Sequence, residues 1–310
     1  MKPVIGIIGL GIMGSAMAEA LIGAGYRIVG YDVHATPRQR LKRVGGRCLT
    51  SCAAVASNAD VLITSLPSVA ALDDVVEKIA SARATRRKSS PRLIVIETST
   101  LPIADKERAM QRLKRVHVTV LDCPISGTAR RMKEGAWSIF VSGSVTACKS
   151  VKAIFEVFTR DAPYVGAFGS GSKMKFIANH LVAIYNVAVG ESLTFAGKMG
   201  LDSKQVWDLF AASPVVGTGV FKLRGKFMVE RKYLPATMKV ETWQKDMQVI
   251  GDMAKSVYCP TPLFTACVPI YIAAMAQGLS QYDTASVCEV LDSMAGGRRL
   301  RRTRIASPSA

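Results

Sequence analysis

The sequence predicts an α/β fold: an N-terminal, doubly wound, largely parallel sheet, followed by an all-helical C-terminal domain joined through a long helix. Three observations carry this. Short apolar runs of strand length alternate with helical patterns through the first half of the 310 residues. The strand pattern then stops. An apolar-rich stretch far longer than any strand, Lys173 to Gly200, opens the second half. The expected divisions are residues 1–166, 167–297 and a basic tail, 298–310.

The first run, Val4 to Ile8, is short enough for a buried strand, and Met13, Met17, Ala20, Leu21 and Ala24 recur behind it at helical spacing. Between them Gly9, Gly11 and Gly14 make G-x-G-x-x-G. A second apolar run, Ile28 to Tyr31, ends in Asp32, 21 residues beyond Gly11. Strand, glycines, helix, strand and acid together are the Rossmann dinucleotide fingerprint. Gly9 permits the tight turn, Gly11 clears the approach of a pyrophosphate to the helix N-terminus, and Gly14 lets helix and strand pack. Leu10, Ile12 and Met13 fill the same turn. The Asp32 carboxylate offers acceptors to a ribose diol and repels a 2′-phosphate, which favours NAD. Arg38 and Arg40 stand near enough in sequence to leave NADP open.

Further strand-length runs occur at Val61 to Leu66, Leu93 to Ile96, Val118 to Leu121, Ile139 to Val141 and Tyr164 to Phe168. Ligands of open α/β sheets bind outside the carboxyl ends of strands. Leu66 and Pro67 in "SLPS", and Thr100 in "ETSTLP", lie there. Thr100 is read as a nicotinamide-side contact or otherwise as a helix cap.

The formal charge of +18 suggests nucleic acid until it is located. Much of the excess sits in two acid-free segments, Arg298 to Arg304 and Arg83 to Arg92, read as a solvated tail and a loop between helix and strand. Neither interleaves aromatic residues for base stacking, so no specific nucleic-acid partner is expected. No apolar stretch is long enough to span a bilayer, and Met1-Lys2-Pro3 leads directly into the first strand, which reads as cytoplasmic with no membrane partner. Seven cysteines without C-x-x-C pairs fit reduced core residues, and His34, His117 and His180 fall in no metal-binding spacing, so no metal is expected.

Three stretches bear chemistry. "LDCPISGT" leaves a strand and turns through Ser126, Gly127 and Thr128, whose backbone N–H groups and hydroxyls suit a carboxylate; taken alone, a plain turn is the simpler reading. "GSGSKMKFIANH" opens the long helix, with Lys175 and Asn179 one turn apart among Phe176, Ile177, Leu181 and Val182. A lysine there is costly unless it serves a function, and an ammonium taken out of water gives up its proton more readily. Lys173 competes but points from another face. In "WQKDM", Asp246 lies beside the apolar stripe of Val240, Trp243, Met247, Ile250, Ala254 and Val257; it reads equally as an inward-facing partner for substrate or for Lys175 and as half of a surface pair with Lys245.

With these residues collected, the sequence resembles the β-hydroxyacid dehydrogenases over nearly its whole length. "GLGIMGSAMA", "DCPISGT", "GSGSKMKFIAN", the "KD" of Lys245-Asp246, "CPTPLF" and "GLSQYDTASV" occur in the family's order. The resemblance implies an NAD(P)-dependent oxidoreductase acting on a small, carboxylate-bearing 3-hydroxy acid or its semialdehyde. It implies Lys175 as the catalytic lysine, Asn179 as the helix partner that positions substrate, Asp246 as an active-site acid, Ser126, Gly127 and Thr128 as the substrate loop, and Lys245 on the cofactor. It also implies a homodimer or homotetramer. Thr128 stands where the family often has a second glycine, Ala178 where it often has a second asparagine, and Met238 where several members have phenylalanine. Imine reductases share the architecture but resemble a version without the lysine. A non-catalytic dinucleotide-binding module is the other alternative, which Lys175, Asn179 and Asp246 disfavour.

Overall fold

Parallel strands buried on both faces must be apolar throughout, because alternate side chains point to opposite layers. Strand β1 (Val4–Ile8) shows this in the computed structural model, which describes residues 2–84, 92–127, 137–159 and 161–297. Ile5 and Ile7 join a core with Leu10, Met17, Leu21, Ile63, Leu121, Trp137 and Phe158. Ile8 joins a second core with Val29, Val55, Leu62, Val75, Ile79, Val95 and Val120. The sheet lies between these two layers.

Strands β2 (Arg27–Tyr31), β3 (Arg47–Cys48), β4 (Val61–Thr64), β5 (Ile94–Glu97) and β6 (Thr119–Asp122) complete the order β3-β2-β1-β4-β5-β6, every neighbouring pair parallel. This is the doubly wound dinucleotide-binding order, and the direction of winding reverses between β1 and β4. Helices α1 (Ile12–Gly23), α2 (Ala35–Arg43), α3 (Cys52–Asn58), α4 (Val69–Ala84) and α5 (Ile103–Lys114) make the crossovers.

Beyond β6 the expected run Ile139 to Val141 divides at Phe140. A short hairpin pairs β7 (Ile125–Ser126) with β8 (Ser138–Ile139), and β9 (Val141–Ser142) turns antiparallel onto β6 at Asp122 and Ser142. After α6 (Val145–Ser150) and α7 (Lys152–Phe155), β10 (Tyr164–Gly166) closes the eight-stranded sheet at one edge. Arg83 corrects the expected basic loop: it belongs to α4 and is buried. Arg86, Arg87 and Lys88, like the arginine-rich tail, lie outside the described residues.

Helix α8 runs from Ser170 to Lys198 and carries the chain from the first compact unit, Met1–Ala178, into the second, Asn179–Ala310. The second unit adds α9 (Ser203–Ala212), a π-helical turn (Phe221–Gly225) leading into α10 (Lys226–Glu230), α11 (Val240–Ser256), α12 (Pro262–Ala276), a 3₁₀ turn (Thr284–Ser286) and α13 (Val287–Met294). Its core gathers Val240, Ala274, Leu279 and Val290, with the Trp243 and Tyr271 rings 6.2 Å apart. The stripe expected on α11 is buried from Val240 through Ile250; Ala254 is half-buried, and Val257, just past the helix end, is exposed.

A buried ion pair anchors this unit. Asp283 is fully buried and accepts from the Arg224 guanidinium, from the Thr237 N–H and hydroxyl at 2.8 Å each, and from the Ala285 N–H at 3.0 Å.

Candidate active site

The turn after β1 shows why its glycines are glycines. A Cβ on Gly9 would lie 2.1 Å from the Ser65 carbonyl oxygen, and one on Gly14 would lie 1.9 Å from the Gly9 carbonyl oxygen. Backbone occupies both places, so no side chain fits. A Cβ on Gly11 would meet nothing within 4 Å. The first and third glycines therefore serve packing, while the second faces open space at the start of α1. That helix has no side-chain cap at Gly11 and no acidic residue in its first turn, so its N-terminal field is available to a phosphate.

Asp32, at the end of β2, is buried and doubly held: Oδ2 accepts the Leu10 N–H at 2.7 Å and Oδ1 the His34 N–H at 2.8 Å. Each oxygen keeps a lone pair for a ribose hydroxyl. These features fit a dinucleotide: an open glycine, an uncapped helix end and a fixed carboxylate. Arg40 is drawn to α1, where its Nε lies 3.3 Å from Glu19. Beside the turn, Ile12 is exposed and Met13 half-buried. Leu66 buries its side chain and donates its N–H to Ser99 Oγ at 2.7 Å, leaving Pro67 as the exposed member of that pair. Thr100 does not cap α5, whose N-cap position is Pro102.

Ser126 is placed by its pairing with Ser138, and Gly127 takes φ +144°, with Trp137 Cδ1 only 2.5 Å from where a Cβ would stand. Thr128 lies outside the described residues. Cys123, in the same motif, is fully buried, and burial pushes its thiol well above the ordinary range, so it serves as a core residue and not as a nucleophile.

Gly171 of "GSGSK" docks α8 onto strand ends. A Cβ on Gly171 would lie 2.5 Å from the Phe140 carbonyl oxygen and 2.6 Å from that of Asp122. Along the helix, Ser172, Lys175, Phe176, Asn179, Ala183 and Asn186 form the buried stripe, while Lys173, Met174 and Ile177 are exposed. Lys175 is 9% exposed. Lys175 and Asn179 thus share the inward face, and Lys173 does not.

In the second unit, Asn179 Nδ2 donates to Asp246 Oδ2 at 2.9 Å, and Lys245 Nζ lies 3.1 Å from Asp246 Oδ1. Asp246 is 3% exposed. Asp246 pairs with Lys245 but is buried, so it is not half of a surface pair, and its inward partner is the Asn179 amide.

Family models match the chain over nearly its whole length. Residues 4–166 match the family model described as the NAD binding domain of 6-phosphogluconate dehydrogenase, and residues 169–291 match the NAD-binding domain of NADP-dependent 3-hydroxyisobutyrate dehydrogenase. The chain belongs to the β-hydroxyacid dehydrogenase family. As a β-hydroxyacid dehydrogenase it is an NAD(P)-dependent oxidoreductase. Among its relatives, 2-hydroxy-3-oxopropionate reductase of Escherichia coli is 28% identical, the match covering 94% of this chain and 98% of that protein. L-threonate dehydrogenase of Cupriavidus necator is 27% identical, over 92% and 95% respectively. The crystal structure of 3-hydroxyisobutyrate dehydrogenase from Salmonella typhimurium superposes with a TM-score of 0.82 at 24% identity, covering 93% of this chain and all of that one. It carries the same fold. The resemblance read from the motifs is thereby confirmed at family level.

Proposed function

We propose that this β-hydroxyacid dehydrogenase oxidises a small 3-hydroxy acid, or reduces the corresponding semialdehyde, with Lys175 as general acid/base. The observation that carries the reading is the placement of Lys175: a lysine on the buried stripe of α8, one turn before Asn179, while its neighbour Lys173 stands in solvent. Burying an ammonium is costly, and a site that does so on a catalytic helix is expected to use it. In oxidation Lys175 Nζ accepts the substrate hydroxyl proton; in reduction it returns that proton to the carbonyl oxygen. The nicotinamide, when bound, supplies the hydride acceptor or donor. The turn at Ser126, Gly127 and Thr128 holds the substrate carboxylate, a positioning effect. Asp246, held by Asn179 and Lys245, is the acid that the family resemblance implies. Gly9, Leu10, Gly11, Ile12, Met13, Gly14 and Asp32 hold the dinucleotide, with Leu66, Pro67 and Thr100 as further contacts; for Lys245 the cofactor role is what the family resemblance implies.

The test is a panel of small hydroxy acids and semialdehydes assayed with both cofactors. Turnover is expected on a member carrying a carboxylate; activity on cyclic imines alone would transfer the chain to the imine-reductase reading. Asp32 predicts the cofactor preference, because its carboxylate would face a 2′-phosphate. NADH is expected to bind at least about tenfold tighter than NADPH, a difference of about 1.4 kcal/mol. A titration in which NADPH proved tighter would reassign Arg38 or Arg40 as phosphate ligands.

No described helix is long and apolar enough to cross a membrane. All seven cysteines are free, four of them buried, which supports a reducing, cytoplasmic setting. The exposed apolar residues Ile177, Leu181, Tyr185 and Phe195 of α8 support a homodimer or homotetramer, which sedimentation of the full chain measures.

A further inference from the structure

Three ionisable side chains that the mechanism does not use lie buried together beneath the carboxyl ends of the sheet. Lys106, on α5, is 1% exposed; Asp122, ending β6, is fully buried; Glu97, ending β5, is 2% exposed. Lys106 Nζ stands 2.7 Å from Asp122 Oδ1 and 3.9 Å from Glu97 Oε1. Buried charges of this kind add little net stability over apolar residues of similar volume, so their presence calls for another reason.

Their remaining bonds supply one. On one side, Glu97 Oε1 accepts the Ser99 N–H at 2.7 Å, and Ser99 Oγ accepts the Leu66 N–H at 2.7 Å. Those are the two turns, after β4 and β5, read as dinucleotide contacts. On the other side, Asp122 Oδ2 accepts the Ser172 N–H at 2.7 Å, and Oδ1 accepts the Ser172 hydroxyl at 2.8 Å. Lys106 Nζ donates to that hydroxyl as well, at 3.1 Å, and Ser142 Oγ accepts the Gly171 N–H at 3.0 Å. These N–H groups belong to the first turn of α8, where a helix lacks partners of its own. The first turn of α8 contains no acid, so the Asp122 carboxylate is the charge that meets its positive end. Ser172 precedes Lys175 by three residues, less than one helical turn.

We propose that Glu97, Lys106 and Asp122 form a positioning bridge that fixes the first turn of α8, and with it the placement of Lys175, relative to the dinucleotide-side turns. The inference rests on the acid/base reading of Lys175. Hydride and proton must leave one substrate carbon and its oxygen in a single geometry, and a displacement of about 1 Å can cost a hundredfold in rate. A continuous run of hydrogen bonds and ion pairs from Leu66 to Ser172 restrains the two relative to each other.

Ser172→Ala tests this with the smallest change, since it keeps the backbone N–H on Asp122 and removes only the hydroxyl. The expected result is a loss of about tenfold in kcat, with NADH affinity and the substrate KM nearly unchanged. A purely structural role would lower stability without separating kcat from KM. The same substitution made on Lys175→Ala is expected to cost little more, because a mispositioned lysine and an absent one are not additive losses. Equal penalties in both backgrounds, or an unchanged kcat in Ser172→Ala, would overturn the bridge's role alone. A Lys175→Ala enzyme of nearly full activity would overturn the acid/base reading and the bridge with it. Should Ser172→Ala fail to bind NADH through misfolding, Ser142→Ala, which frees the Gly171 N–H, carries the same comparison.

Discussion

Lys175→Ala is expected to lower turnover by at least about a hundredfold, the scale of general acid–base catalysis, while NADH titrates into the protein nearly as it does into the unaltered chain. The separation follows from the fold. The glycine turn and Asp32 are built from β1, β2 and the start of α1, with the Asp32 carboxylate held by the Leu10 and His34 N–H groups. Lys173→Ala is the matched control: it removes the same charge two residues away, from an exposed position. Single-turnover measurement of hydride transfer, monitored by nicotinamide absorbance, checks both. If Lys173→Ala proves the damaging change and Lys175→Ala nearly silent, the lysine assignment is wrong.

Asp283→Ala is expected to destabilise the second unit by about 3–5 kcal/mol, the cost of leaving a buried partner charge uncompensated. The Arg224 guanidinium, 6% exposed, would keep Thr237 as a neutral partner and lose its counter-ion. The N–H groups of Thr237 and Ala285 would lose their acceptor in the same step. A fall of about 5–8 °C in the thermal midpoint corresponds to this loss for a chain of this size. Arg224→Met combined with Asp283→Asn removes both charges, and that double variant should melt above Asp283→Ala. A double variant less stable than Asp283→Ala would show that the network, and not the unpaired charge, sets the cost.

How far the sequence was legible depended on whether burial required an apolar residue. The central strands β1, β4, β5 and β6 stood out as continuous apolar runs because both their faces are covered. Strands β3 and β7 left no such trace: two residues at a sheet edge or in a hairpin bury too little to make a pattern. Polar residues inside the molecule were the harder class. Asp246 could not be settled by periodicity, since position 246 borders the stripe on α11, and only the Asn179 amide at 2.9 Å shows which way it faces. Lys106 sits in the charge-rich segment "IADKERAMQRLK" and reads there as a surface residue. Its signal was register: Ile103, Lys106, Ala109 and Leu113 share the buried face of α5, so the lysine occupies an apolar position. Asp122 and Asp283 gave no such sign, because their burial depends on partners 50 and 59 residues away in the chain.

The docking of α8 inverts the usual order in which a helix comes apart. Helices fray from their ends, where terminal N–H groups exchange with solvent through small, local openings. Here the N–H groups of Gly171 and Ser172 are bonded to buried side chains of β9 and β6, and Gly171 leaves no gap above the strand ends. Releasing them breaks bonds to the buried Ser142 and Asp122 side chains. The amides of Gly171 and Ser172 are therefore expected to exchange more slowly than those of an ordinary helix N-terminus, and Lys175 sits beside that anchored end.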